Sequence, residues 1–414
     1  MAKDGILVRI RVPGGLISTD KFRLLGDLAQ EFASGYIEIT ARANVQLRGI
    51  DGARVEELRG ALEKFGFLPS RLHDRIRNIL ASPLAGIDPE ELIDTQPIVR
   101  NLDECLQNDK DLAKLPAKFG FAVDGGGYRF DRGGTDLALS AERIATGLQF
   151  RLFIGVQATD IIAAPGEESE LLLKAARACL EVAKEFEIPA RGRSIIGHTL
   201  ARERFLQCLK GFAQRNQHEL DDSWKSAGLR IPFGVMLASR VGRIAVIPSV
   251  PLARLTAAQV LAVSHICEEH GAGVRVAPWR GIVLSEIRES SAGQVCAALE
   301  NIGLPVDGRD GFQGLAACAG TDGCSAALAD VRADAVVLAG LLAGLTPSPG
   351  WKINLAGCEK RCGMRTDAMM DLIGTASGYS VHMQGRPAHT GCSPEKAIRL
   401  AASFRKTTVT GSSK

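Results

Sequence analysis

The chain is short of aromatic residues, of net charge and of long apolar runs, and each shortage closes off a class of function. Aromatics make up 5% of its 414 residues against 46% hydrophobic overall, so the interior is expected to be aliphatic and alanine-rich, as where helices stack on sheets. Lys and Arg number 50 and Asp and Glu 47, a net charge of +3, which gives no electrostatic case for a nucleic acid or a membrane surface as partner. The longest uncharged apolar stretch, Ala335 to Leu345, has eleven residues, about half of a bilayer span. Met1-Ala-Lys-Asp-Gly leads straight into an alternating run, so no apolar signal segment is expected and the compartment is read as the cytoplasm. Ten cysteines in so long a chain are too sparse for a disulfide framework.

Nucleotide and hydrolase motifs are missing as well. No Gly-x-Gly-x-x-Gly follows a strand, and Asp124-Gly125-Gly126-Gly127 is read as a tight turn between strands. There is no Walker motif, nucleophile elbow or His-Glu-x-x-His. The seven histidines are scattered, and His265 and His270 are five apart on a helix, so they do not share a face. A two-His, one-carboxylate iron site is not legible; each histidine is expected to be structural or solvated.

What the chain does have is a repeat. In Ile6-Leu-Val-Arg-Ile-Arg-Val12 the apolar residues Ile6, Val8, Ile10 and Val12 take one face of a strand and Arg9 and Arg11 the other. Pro13-Gly14-Gly15 breaks it, and Ser18 or Thr19 caps a helix with Phe22, Leu25, Leu28, Ala29 and Phe32 in one stripe. Strands at 36–40 and 45–50 and a charged helix to about Phe65 follow. The plan returns at 233–304, with Thr256 as a cap, Val260, Val263 and Cys267 on one side, and the segment from Gly273 to Leu284 aligned with that from Gly35 to Leu47. Each copy reads as a ferredoxin-like α+β unit with one sheet face to cover, so two copies are expected to pack about a pseudo-twofold axis. A helix over about 167–186 carries Leu172, Ala175, Cys179, Val182 and Phe186 on one side, which makes Cys179 a core residue. At roughly 150 residues per domain, the length suggests two to four domains.

Four cysteines stand apart from the rest. Cys318 and Cys324 bracket Ala-Gly-Thr-Asp-Gly, and Cys358 and Cys362 bracket Glu359-Lys360-Arg361, after an apolar strand at 351–355. Two short pairs on separate loops can cage a cubane iron-sulfur cluster, and Gly320, Gly323 and Gly357 let backbone amides approach its sulfides. Zinc is the alternative. Its structural sites pair cysteines two to four residues apart, which the second pair satisfies and the first does not; unligated core thiols are the remaining option.

The order Cys-x5-Cys, Cys-x3-Cys resembles the cluster signature of the sirohaem-dependent sulfite and nitrite reductase superfamily. The resemblance runs over nearly the whole chain. It implies an α+β fold in which duplicated ferredoxin-like half-domains, residues 1–69 and 231–304, form a pseudo-twofold unit. Two related α/β modules of the sirohaem and 4Fe-4S type, 70–230 and 305–414 with a closing strand near 379–383, would flank it, with the active site where the parts meet. It implies Cys318, Cys324, Cys358 and Cys362 as ligands of a 4Fe-4S cluster.

Basic residues in three family motifs hold tetrapyrrole carboxylates, and this chain matches each in part. Thr40-Ala-Arg42-Ala-Asn-Val-Gln46 gives Arg42, Arg77-Asn78-Ile79 gives Arg77, and Leu115-Pro-Ala-Lys118-Phe-Gly120 gives Lys118. A second lysine expected at position 120 is glycine, and Glu359-Lys360-Arg361 stands where Pro-Asn is common in the reductases. Both departures lead toward the precorrin-oxygenase branch. That branch implies O2-dependent hydroxylation of precorrin-3A, a tetrapyrrole, at C20 with lactone formation, with electrons from an external ferredoxin-like protein or NADH-linked reductase. It also implies a mononuclear non-haem iron for oxygen activation, whose ligands the sequence does not name. Sirohaem would belong only to the alternative, a sulfite or nitrite reductase. Arg280, at the repeat position near Arg42, and Arg191 and Arg193 are further candidates outside this set.

Overall fold

The protein is described from a computed structural model, which covers residues 2–128, 134–145, 147–214, 233–346, 351–364 and 368–410. The first unit contains β1 (Ile6–Ile10), α1 (Thr19–Phe32), β2 (Tyr36–Ile39), β3 (Val45–Ile50) and α2 (Val55–Lys64). A module follows with β4 (Ile79–Ala81), α3 (Gln96–Asn108), β5 (Phe121–Asp124), β6 (Leu137–Ile144), β7 (Gly147–Ile154), β8 (Gln157–Ala163), α4 (Glu168–Glu185), α5 (Gly192–Ile196), α6 (Thr199–Cys208) and β9 (Ala213–Gln214). The repeat of the first unit has β10 (Gly234–Leu237), β11 (Arg243–Ile247), β12 (Arg254–Thr256), α7 (Ala257–His270), β13 (Gly273–Ala277), β14 (Gly281–Arg288) and α8 (Ala292–Asn301). The last module has β15 (Leu315–Ala317), α9 (Gly320–Gly323), α10 (Val331–Leu342), β16 (Ile353–Ala356), β17 (Met370–Thr375), β18 (Gly378–Met383), β19 (Arg386–Cys392) and α11 (Pro394–Thr410). The boundary expected between 230 and 231 lies outside the described residues.

The two repeat units share one core. Ser18 caps α1 by accepting from the Lys21 amide, and Thr256 caps α7 in a reciprocal box with Gln259. Phe22, Leu25, Leu28, Ala29 and Phe32 of α1 are buried with Val260, Val263 and Cys267 of α7 in a single cluster. Gly26 makes that helix pair close, since a Cβ there would stand 3.1 Å from Val260. The pairing is also exchanged: β12 runs antiparallel to β2 of the first copy, while Leu16, ahead of α1, bridges Arg275 on β13 of the second. The exchange extends an outer edge of each sheet, at β2 and at β13, across the pseudo-twofold axis, while the shared core of α1 and α7 covers the sheet faces that either copy alone would leave open.

The two modules share a topology. In each, three parallel strands (β4-β5-β6, β15-β16-β17) continue into antiparallel ones (β7-β8-β9, β18-β19). Three sequence expectations are corrected here. Gly125-Gly126-Gly127 is not a tight turn between paired strands, because β5 and β6 are parallel and a longer connection must return the chain. The strand near 379–383 does not close its sheet; β19 pairs outside it. The bonds Ala43 N–H to Thr40 O and Arg280 N–H to Ala277 O superimpose the two hairpin turns with Thr40 on Ala277, so Gly35 and Gly273 are one residue out of step. No helix among the described residues is long and apolar enough to cross a membrane.

Candidate functional site

Cys318 directly follows β15 and Cys324 directly follows α9, while Cys358 and Cys362 lie just beyond β16. All four line one cavity of about 490 Å³. The loops around them are built from small residues because backbone must come close. The Gly357 amide donates to Cys318 Sγ at 3.2 Å, and a Cβ on Gly357 would lie 2.6 Å from that of Ala327. Leu328 N–H closes on Gly357 O at 2.7 Å. From across the cavity the chain start takes part: Lys3 N–H donates to Gly323 O, and Arg48, forked onto Asp4 at 3.0 Å, reaches the same carbonyl. Four thiols with an amide already aimed at one sulfur are a donor set that fits a 4Fe-4S cluster.

The cavity is cationic. Arg9, Arg48, Arg280, Arg332 and Lys360 line it, with Glu38 the one carboxylate among its described lining residues. Glu38 is held by Arg332, by Arg254 at 3.5 Å and by Gln46 Nε2 at 2.7 Å, and Gln46 in turn accepts from Arg9 at 3.1 Å. Burial pulls Arg254 and Arg280 below the ordinary arginine range, and Glu38 opposes the fall in both.

A second, apolar chamber of about 210 Å³ adjoins it, lined by Trp279, Tyr128, Phe233, Phe312, Pro248 and Met364 with Lys352. Ala41, Leu252, Ala253, Arg280 and Ala317 border both spaces, which makes one cleft with an apolar and a charged half. Such a cleft can take a planar apolar body with anionic edges.

The first motif meets the cleft through Ala41, and Arg42, Arg77 and Lys118 are not among its described lining residues. Arg42 donates to Lys118 O at 3.2 Å, placing these two side by side, with Lys118 exposed. Asn44 reaches Asn78 at 3.5 Å and Asn78 donates to Phe119 O at 3.2 Å, so the three motifs are stitched to each other. Arg77 is turned elsewhere. It forks onto Asp103 with both bonds at 2.7 Å, lines a separate hollow of about 190 Å³ with Arg11 and Lys21, and keeps a terminal nitrogen buried without a hydrogen-bond partner. Burial lowers Arg11 in that hollow to about 10 against the pull of Asp74, with Arg9, Arg42 and Arg77 as repelling neighbours. Gly120 donates to Asp136 at 3.0 Å, and Asp136 also takes Arg191 at 2.8 Å; Arg193 is exposed.

Several histidines do structural work. His73 bridges Ser70 and Asp109 O, and His198 caps α6. Among the described residues, no three His, Cys, Asp or Glu side chains gather as a single metal ion requires. The described residues do not fit a mononuclear iron. Sequence reasoning passed over Arg9, Glu38, Arg48, Arg332 and Lys360. The alternation that put Arg9 opposite Ile10 was the available signal; Arg332 meets Glu38 across 294 positions and had none.

Two family models match the chain. The nitrite/sulfite reductase ferredoxin-like half domain covers residues 1–65 and 238–302, and the nitrite and sulphite reductase 4Fe-4S domain covers 73–185. A precorrin-3B synthase of Sinorhizobium sp is 27% identical over 385 residues, 92% of this chain and 80% of its own length. The ferredoxin–nitrite reductase of Synechococcus elongatus is 24% identical over 426 residues, 95% and 82%. Among solved structures, the Mycobacterium tuberculosis NirA protein overlays 96% of this chain and 80% of its own with a TM-score of 0.76 at 20% identity, a likeness of fold.

Proposed function

Because the chain belongs to the nitrite/sulfite reductase superfamily and is an oxidoreductase-type protein with a 4Fe-4S donor set, we propose that it is a precorrin-3B synthase working in the cytoplasm. The observation that carries this is the divided cleft, whose cationic half contains the four cysteines and whose apolar half is walled by Trp279 and Phe312. The functional units of the proposal are residues 1–69, 70–230, 231–304 and 305–414.

Cys318, Cys324, Cys358 and Cys362 would hold the cluster, which supplies single electrons when bound. Arg42 and Lys118, adjacent through their hydrogen bond, would take carboxylates of precorrin-3A, Arg42 by its planar fork. Arg77 would act from behind, since its fork is occupied by Asp103. The Glu38 network, with Arg254 behind it, keeps Arg332 fixed on the cavity wall, so the charge of Arg332 would meet the ligand without having to be reorganised. One atom of O2 enters the product at C20 and the other leaves as water, with two electrons from an external ferredoxin-like or NADH-linked donor and two protons from solvent. A ring acetate then closes the lactone by adding its oxygen across an unsaturated bond of the macrocycle, the proton passing to a ring nitrogen, so that no group leaves.

Gly120 favours this over sulfite or nitrite reduction. A reductase needs cations to hold and protonate a small oxyanion, and position 120, with its amide on Asp136, offers none. The reductase alternative is supported by relatives such as the ferredoxin–nitrite reductase, and would require sirohaem. Anaerobic mixing with precorrin-3A followed by labelled O2 tests the proposal. One labelled atom in the product supports it; intact precorrin, with intense sirohaem bands in the purified protein and consumption of nitrite or sulfite, would refute it. One zinc and no iron would remove both enzyme readings.

A further inference from the structure

The two hairpin turns of the duplicated unit match in backbone and differ in chemistry. Ala43 and Arg280 hold the same place, each amide closing on the carbonyl three residues back at 3.0 and 2.9 Å, and each with a left-handed backbone, φ 51° and 67°. That conformation is disfavoured for residues bearing a long side chain. An arginine kept there points to a use for its side chain.

The surroundings say which use. Among the described residues, the Arg280 guanidinium has one hydrogen-bond acceptor, Gly363 O, next to Cys362. No carboxylate among the described residues pairs with it; Glu38, whose field it feels, is engaged by Arg332, Arg254 and Gln46. Most of its N–H donors are therefore uncommitted, and it stands on the wall common to the cationic and apolar chambers. Beside it the indole N–H of Trp279, in the turn position matching Arg42, is buried with no partner among the described residues. A fork of spare donors on the wall of an apolar chamber, with an unsatisfied indole N–H in the preceding residue, suits a carboxylate projecting from a planar ring system.

We propose that Arg280, assisted by the Trp279 N–H, anchors a peripheral carboxylate of the bound tetrapyrrole opposite Arg42, so that the duplicated turns clamp the macrocycle from two sides and set which edge is presented. This rests on the proposed function.

The test is an anaerobic titration of iron-loaded protein with uroporphyrin III, a polycarboxylate tetrapyrrole. The key variant is Arg280→Gly, because glycine relieves the left-handed backbone; it should melt no lower than the parent and keep its iron, yet bind about tenfold more weakly or worse. Arg280→Lys should recover part of that affinity, and Trp279→Phe should lose about threefold. Equal affinity of Arg280→Gly and the parent overturns the inference. So does an Arg280→Gly protein that loses iron or melts lower, with Arg280→Lys restoring those properties and not affinity, since the bond to Gly363 would then be the residue's role. If Arg280→Gly weakens binding but precorrin-3A gains no oxygen, the anchor stands and the oxygenase reading falls. If the parent binds no tetrapyrrole, both fall.

Discussion

The two modules carry the same loops with different chemistry. After β5 and after β16 stands a glycine, Gly125 or Gly357, whose carbonyl accepts from a leucine amide, Leu92 at 2.9 Å or Leu328 at 2.7 Å. By the same register Ser82 corresponds to Cys318 and Gly126 to Cys358. In the first module the hydroxyl of Ser82 merely accepts from Leu84 N–H, and carboxylates tie the loops, Asp88 to Tyr128 N–H and Glu91 to Gly86 N–H. In the second, thiols face a cavity. The frame is common property, and the chemistry belongs to a few loop positions.

The largest effect should fall where the modules differ. Cys324→Ser is expected to drop iron from about four per chain to near zero and abolish oxygenation, whereas Ser82→Ala leaves both intact; iron and acid-labile sulfide assays decide. Full turnover by Cys324→Ser would contradict a role for the thiol. Arg42→Ala should weaken precorrin-3A binding about 10- to 100-fold with iron unchanged, as a carboxylate loses a charge-assisted partner. Unchanged affinity in a binding titration would remove Arg42 from the site.

The matched glycines sharpen the comparison. Gly357→Ala would push a Cβ to 2.6 Å from Ala327, and Gly125→Ala one to 2.3 Å from Ile93 O. Both should lower stability by about 1–3 kcal/mol in denaturant melts, but only the first should lower iron content. Iron loss from both would mean the first module shapes the cluster loops.

The smallest effect depends on pH. Burial, with Asp94 and Asp88 nearby and despite the Gly86 N–H bond, raises Glu91 to about 8. Its folded pKa lies above its unfolded one, so its contribution is fully present below about 4.3 and is lost as pH rises through the folded value. Glu91→Gln should therefore melt higher than the parent above pH 8 and equally near pH 4, where a constant offset would assign the change to packing.

Local patterns carried much of this into view. The alternation of β1 from Val8 on, the Thr256 cap, the helix stripes and the cysteine spacing all arise from neighbours within a few residues, and the strands and helices follow them; Ile6, expected on the same face as Val8, is exposed because the register with β3 breaks between the two. The exchanged strand β12 and the Leu16–Arg275 bridge are choices between distant partners that no local pattern records. The same holds for the site: the Cys pairs and Arg42 stood in readable motifs, while the fork of Arg77 onto Asp103 and the Arg332–Glu38 pair come from tertiary approach.

The adjoining of the apolar chamber and the cysteine cavity can be probed directly by electron paramagnetic resonance of the reduced, iron-loaded protein during anaerobic addition of precorrin-3A. A tetrapyrrole bound across the shared wall of Ala41, Arg280 and Ala317 should shift the cluster signal and saturate at one equivalent per chain. A spectrum that stays unchanged while precorrin binds stoichiometrically would place the ligand elsewhere and contradict the account.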